Sequence, residues 1–339
     1  RDPEMSRGLG DVYKRQLLQY GYRPFQKVRF RFYNILPSSV AVIISVTLAS
    51  CFTGIESTPK ITAKDVKREN IPVKPESQYL QDIAPQPFSQ WKNGKRFFVS
   101  DSKFKTILVP DPYLTDYEPA GSVVKFESYR EVTDIAGNRV IELIFSGASG
   151  ERLVYRTTQS LASVEKSKEL RIPFLVEMDV IDSVRSRLVG NTYYIITSSW
   201  YDNDNKFFTG RKFIPVTVTD VLPGNSFYSA ILCLKDDSGK SFRLFLSVGN
   251  DLKSLRRFDS LFSLKNPRDS YPTITDAVWS NIMSGRVADG MTKDECRLAL
   301  GSPKNVTEQF GYSAVREIWS YENGIFLIFE DSILRSFRQ

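Results

Sequence analysis

Asp111, Asp116 and Glu118 fall in one short stretch beside Tyr113 and Tyr117. Neighbouring carboxylates can divide acid and base roles at a glycosidic or peptide bond, and a tyrosine ring beside them offers a face for a sugar. A glycosidase pair needs a defined separation between its carboxylates, which loop spacing does not supply. The stretch therefore suggests a ligand-binding edge at Tyr113, Asp116, Tyr117 and Glu118 and assigns no catalytic residue. A second cluster, Trp200-Tyr201-Asp202-Asn203-Asp204-Asn205, sets oxygen-bearing side chains beside two aromatic rings. A calcium loop would need more oxygen ligands and a glycine at its sharp turn, whereas Lys206 and Phe207 follow here. This reads as a polar hairpin tip with no metal ligand, and Trp200 and Tyr201 are kept as ligand-binding candidates. Phe207 and Phe208 join the tyrosines as candidates for a partner surface. Lys253, Arg256 and Arg257 read as a solvated basic turn.

Composition narrows the chemistry further. The chain has no histidine, which removes Ser-His-Asp and Cys-His nucleophile activation and histidine-ligated zinc. An enzyme would rest on paired carboxylates, a Ser-Lys dyad or an oxygen-held metal; no cofactor is expected. The net charge of +7 is concentrated at the start: after residue 50 there are 38 basic and 36 acidic side chains. A nucleic-acid partner needs clustered basic excess and is not expected. The 23 phenylalanines and 16 tyrosines lean toward strands. Of the three cysteines, Cys233 lies in an apolar run and Cys296 in a predicted helix; two free thiols are preferred over a bond between them.

The positioning elements begin after an unusual N-terminus. Residues 1–16 resemble a translated sequencing-library adapter and are set aside from the fold. The segment from 17 to 50 carries basic Lys27, Arg29 and Arg31, an apolar run from about Ile35 to Leu48, and then Leu48-Ala49-Ser50-Cys51. The run is shorter than the roughly 20 residues of a membrane span and follows the export-signal pattern. Its last four residues resemble a bacterial lipobox. That resemblance implies cleavage between Ser50 and Cys51 and a lipid, palmitate among its acyl chains, on Cys51. Residues 51–76 are polar and carry three prolines, as expected of a tether.

Two β-rich stretches then match in order. The 77–168 unit has Gly94, Gly121, Leu143 and Gly150 where the 169–268 unit has Gly190, Gly210, Leu232 and Gly239. Each unit reads as an aromatic strand, a long loop, a strand and a hairpin, and each is expected to be a small SH3-like barrel. A helix from the Met178 region to Leu188 leads the second unit, with Met178, Ile181, Val184 or Arg185, and Leu188 on one face.

Residues 274–339 form the clearest module. Thr292 and Glu295 have capping-box spacing, Gly301 and Pro303 stop the helix they begin, and an earlier helix spans Asp276 to Ser284. Strands are expected at 316–321, 325–329 and 333–337, the first two joined by a two-residue turn at Asn323-Gly324. Gly290-Met291-Thr292-Lys293, Leu300-Gly301-Ser302-Pro303, Trp319 and Tyr321 together resemble the SmpA/OmlA (BamE-like) domain of Gram-negative outer-membrane lipoproteins. The resemblance implies a two-helix, three-stranded α+β fold and an envelope location. The expected fold class is thus mainly β with an α+β C-terminal module. The expected function is a non-catalytic, lipid-anchored outer-membrane scaffold that contacts envelope proteins or glycans. The alternative is a carboxylate-dependent hydrolase of polysaccharide or peptide.

Overall fold

The computed structural model describes residues 74–114, 116–167, 169–249, 256–310 and 315–339. The adapter-like stretch, the export signal, Ser50, Cys51, most of the tether and Lys253 lie outside the described residues. The described chain is mainly β: three antiparallel sheets hold 16 strands, with a few short helices. The first sheet is ordered β4-β3-β2-β1-β5, with β1 at Arg96–Val99, β2 at Val123–Thr133, β3 at Arg139–Ser146, β4 at Arg152–Arg156 and β5 at Leu175–Glu177. The second is ordered β12-β6-β9-β10-β11-β7-β8. Its strands are β6 (Thr192–Ile195), β7 (Ser199–Tyr201), β8 (Phe207–Thr209), β9 (Ile214–Pro223), β10 (Ala230–Asp236), β11 (Ser241–Leu246) and β12 (Phe262–Ser263).

The two sheets share a pairing scheme. Phe97 faces Val124 and Phe126 faces Phe145 in the first; Tyr193 faces Val216 and Val218 faces Leu234 in the second. Each long strand carries one unpaired residue at the same place, Glu127 in β2 and Thr219 in β9. Such a bulge bends the strand and sharpens its twist. The register also corrects one landmark: the counterpart of Gly121 is Phe213, not Gly210. Gly121 N donates to Val99 O at 2.8 Å and Phe213 N donates to Ile195 O at 2.5 Å. Both take left-handed φ values, 80° and 61°. Glycine is the usual occupant of that region; Phe213 is held there with its ring stacked on Trp279 at 5.4 Å.

After its first strand, each unit sends the chain across to the far side of the sheet. Leu108 bridges Tyr155 of β4, and β7 pairs with β11. The crossing segment of the first unit buries Phe104, Leu108 and Leu114. It is a layer of the core as much as a loop.

The flanking segments are exchanged, which shifts the expected boundaries. A helical turn at Pro75–Gln78 takes in the end of the tether, and Leu80 and Ile83 beyond it pack into the core of the second unit. Tyr79 stacks on Phe258 at 4.6 Å and its hydroxyl meets that of Tyr193 at 2.9 Å. Conversely, Leu170 and Ile172 belong to the core of the first unit, and β5 pairs with β1. Helix α1, Met178–Leu188, follows β5 directly and buries Val180, Ile181, Val184 and Leu188. Arg185 points away, to Asp182 and Asp220.

Lys95 ties these pieces together. Its side chain is 3% exposed, and its ammonium lies 2.8 Å from Glu177, 3.2 Å from Asp179 and 3.1 Å from Gln86 Oε1. The rings of Trp91 and Phe97 flank it at 5.7 and 5.6 Å.

The third sheet has four strands, one more than expected: β13 (Asn305–Phe310), β14 (Val315–Ser320), β15 (Phe326–Glu330) and β16 (Ile333–Arg338). β13 has weak apolar alternation and an exposed surface, so its sequence carried little strand signal. Helices α2 (Asp276–Met283) and α3 (Lys293–Leu300) cover one face, around buried Trp279, Ile282, Cys296, Trp319, Leu327 and Phe329. The turn before β15 holds three residues, because Tyr321 N donates to Ile325 O at 3.0 Å and Gly324 takes φ 79°. This is the three-residue bulged hairpin rather than the two-residue type.

Lys212 links the second unit to this module. Its buried ammonium donates to Ala299 O at 2.7 Å, in the last turn of α3, where the carbonyl end of a helix favours a cation. Burial lowers its pKa to about 8, and burial raises that of the Cys296 thiol to about 12.

Two outcomes follow from these buried groups. Lys95→Met leaves Glu177 buried beside Asp179 without its cation and is expected to cost about 3–5 kcal/mol in urea unfolding, largely recovered by adding Glu177→Gln. For pH, the unfolded Lys212 titrates near 10.5 and the folded one near 8, so between them the unfolded chain holds more protons and stability rises with pH. Cys296 acts oppositely, because above its ordinary 9.0 only the unfolded thiol loses its proton. Between pH 8 and 10, urea midpoints should therefore climb more steeply in Cys296→Ala than in the parent and fall more steeply in Lys212→Met.

Candidate functional site

A cavity of about 1000 Å³ lies between the first two sheets. That volume is at the upper end of the range of ligand pockets. One wall is the segment from Leu170 to Glu177, including the free edge of β5. The other is the loop from Asn225 to Ser229 with Ser247 and Val248 from the end of β11. Phe97 and Val180 contribute from β1 and α1.

The walls are locally fixed. Phe174 takes φ 66°, a region that bulky side chains avoid. Its carbonyl accepts from Ser100 N and Oγ at 2.8 and 3.0 Å, and its N donates to Ser226 Oγ at 3.0 Å. One residue thus joins three segments. Opposite, Asn225 Oδ1 accepts from the backbone N of Phe227 and of Tyr228, each at 2.9 Å. That turn presents Phe227 with 85% of its surface exposed. Exposed phenylalanine on an ordered turn costs apolar hydration that a partner would relieve. Glu177 lies deeper in the groove. Burial raises its pKa despite the Lys95 ammonium, and its carboxylate also accepts from Gln86 N at 3.3 Å. An apolar trough beside an unpaired strand edge can take an extended chain, with backbone hydrogen bonds along the edge and side chains in the trough.

The residues singled out from the sequence lie elsewhere. Tyr113 is 94% exposed, and Asp111, Asp116 and Glu118 are also exposed. None of them lines the groove. Asp111 accepts from Tyr113 N at 2.9 Å, a local turn bond. Tyr117 packs on the core of the first unit with its hydroxyl buried near Ser122, and burial raises its pKa. Trp200 is 2% exposed and stacks on Phe242 at 3.6 Å, and it also lines a smaller cleft away from the groove. A Cβ at Gly210 would fall within its ring. Tyr201 is half-buried, accepting from Arg256 Nη2 at 2.8 Å while the guanidinium lies over its ring.

The Asp202 loop is the tip between β7 and β8, and Asp202 itself closes it. Its Oδ1 accepts from Asp204 N and Lys206 N, both at 2.9 Å. Asp134 and Asp236 do the same for two other hairpins. Phe207 remains 61% exposed at the outer strand of its sheet. Cys233 and Cys296 are both free thiols.

The C-terminal motif has a structural account at most of its positions. Gly290 takes φ 83° and donates to Leu334 O at 3.0 Å, and Met291 is 1% exposed. Thr292 forms the capping box with Glu295, and Lys293 pairs with Glu317, which also accepts from Trp319 Nε1. Gly301 ends α3 at φ 86°, Pro303 follows before β13, and Tyr321 donates to Gly301 O at 3.2 Å. Together these residues orient α3 on its sheet.

Compared with known proteins, the chain matches no family model, no curated protein and no solved structure.

Sequence reasoning missed the groove residues Phe174 and Phe227. The one signal was Phe227 itself, an aromatic inside the turn-rich Pro223-Gly224-Asn225-Ser226 run. The contrast between the buried and exposed candidates is testable: Trp200→Ala should lose about 3–5 kcal/mol of stability. Tyr113→Ala should stay within about 0.5 kcal/mol. Both are read from urea denaturation followed by circular dichroism.

Proposed function

We propose that this chain is a lipid-anchored envelope scaffold, held at the outer membrane through Cys51, whose groove binds an extended apolar segment of a partner protein. The observation that carries the binding role is the trough between the first two sheets, with the free edge of β5 on one wall and Phe227 exposed on the other. Support for the anchor is the Leu48-Ala49-Ser50-Cys51 stretch after an apolar run. Support for an envelope role is the resemblance of the C-terminal motif to SmpA/OmlA domains. The matched bulges and registers of the first two sheets favour a duplicated ancestral unit of SH3-like size.

The test has two arms. Cells expressing the gene are fed labelled palmitate, which should enter the protein but not its Cys51→Ala variant. A photo-reactive residue is then placed at Phe227, and a control one at Ile135 on the exposed β2–β3 turn. A defined envelope protein should cross-link at 227 and not at 135, and its cross-linked peptide should be an apolar stretch. Equal labelling at both positions, or none at 227, refutes the groove reading. Unlabelled parent protein refutes the anchor independently.

A further inference from the structure

A second cleft, about 410 Å³, opens where the second unit meets the C-terminal module. It shares no residue with the groove. Three segments supply cations: Arg211 precedes β9, Lys240 leaves the β10–β11 turn, and Arg286 follows α2. Thr209, Ser238 and Ser284 add hydroxyls, and Trp200 with Gly210 supplies an apolar wall. Lys240 and Arg286 are each set by a short, bonded turn. Lys240 N donates to Asp236 Oδ1 at 2.9 Å, and its ammonium lies 4.4 Å from the centre of the Phe208 ring. The turn carrying Arg286 is pinned by Gly285 at φ 66°, by Arg286 N donating to Asn281 O at 2.9 Å, and by Gln339, which accepts from Val287 N at 3.1 Å.

The charges are unequally satisfied. Arg211 is paired with Asp237 at 2.5 Å and lies 3.6 Å from Asp236. Asp236, the cleft's own carboxylate, is already engaged: its Oδ1 accepts from Ser238 N, Ser238 Oγ and Lys240 N. Lys240 and Arg286 have no carboxylate partner among the described residues. Two uncompensated cations and several hydroxyls converging on a concave surface are donors in search of an acceptor rich in oxygen. A guanidinium fork and an ammonium suit a phosphate, which accepts on several oxygens at once.

We propose that this cleft is a binding site for a small phosphate-bearing ligand. Lys240 and Arg286 contact the phosphate, and the hydroxyls of Thr209 and Ser284 take its remaining oxygens or the group it is attached to. The volume admits a sugar phosphate or one phospholipid headgroup.

The experiment titrates the full chain by calorimetry at low ionic strength with glucose 1-phosphate, glucose and inorganic phosphate. In parallel it measures co-sedimentation with vesicles of phosphatidylcholine, with and without phosphatidic acid. Saturable binding of glucose 1-phosphate but not glucose is expected, weakening with salt. The Lys240→Ala/Arg286→Ala double variant should bind at least about tenfold less tightly, and Arg286→Lys should retain part of the affinity because one charge is kept and the fork is lost. Both positions are exposed, so circular dichroism should match the parent. Binding confined to phosphatidic acid vesicles and lost in the double variant also supports the site and identifies the source as lipid. No saturable binding of any phosphate probe, or undiminished affinity in a folded double variant, overturns the proposal. Neither result depends on what the groove binds.

Discussion

One ammonium group, that of Lys95, fixes the relation between the first two sheets. It sits at the start of β1, yet its carboxylate partners come from the end of β5 and the first turn of α1. Removing a charge from water is costly, and its partners offset that cost only where their geometry is good. Both carboxylates meet the ammonium beside the Trp91 and Phe97 rings that flank it. That single arrangement draws β5 onto the edge of β1, begins α1 where β5 ends, and leaves the outer edge of β5 facing the Asn225–Ser229 loop. Apolar side chains in the same places would have packed at similar depth with less demand on register.

Local rules recovered much of this fold. The α3 capping box and its glycine stop were legible, and so was most of the buried face of α1, since each depends on residues within one or two turns. On α1, Ile181, Val184 and Leu188 are buried as expected, but Val180 rather than Met178 joins them. The hairpins at Asp202 and Asp236 were legible as turns, the one at Asp134 was not read, and none was legible as a class. Their shared device is an aspartate that accepts from the amides two and four residues on, and its significance shows only when Asp134, Asp202 and Asp236 are seen doing the same thing. The alignment of the two units failed at Gly121 because composition and conformation diverged there. In the second unit, Phe213 holds the left-handed backbone position and takes its compensation from Trp279, a residue in another module.

Sites were read less well than elements, for a related reason. Trp200 and Tyr201 looked alike in the sequence, but strand alternation turns one ring onto Phe242 and the other toward Arg256. The carboxylates around Tyr113 cluster along the chain and remain exposed in space. By contrast, the residues that line both cavities come from segments that are far apart in sequence, and only the exchange of flanking segments and the docking of the C-terminal module bring them together. No local pattern encodes such a convergence.

The exchanged flanks bear on how the polypeptide matures. Residues that finish the first core arrive only at Leu170 and Ile172, while Leu80 and Ile83 wait for a core whose last strand ends at Ser263. Contacts of such long separation slow folding, and a ribosome delivers the chain from its N-terminal end. The first sheet must therefore emerge incomplete, with the edge of β1 uncovered until β5 appears. Cutting the chain between the two units would not release a pair of autonomous domains. Each half would carry away a piece of the other's interior.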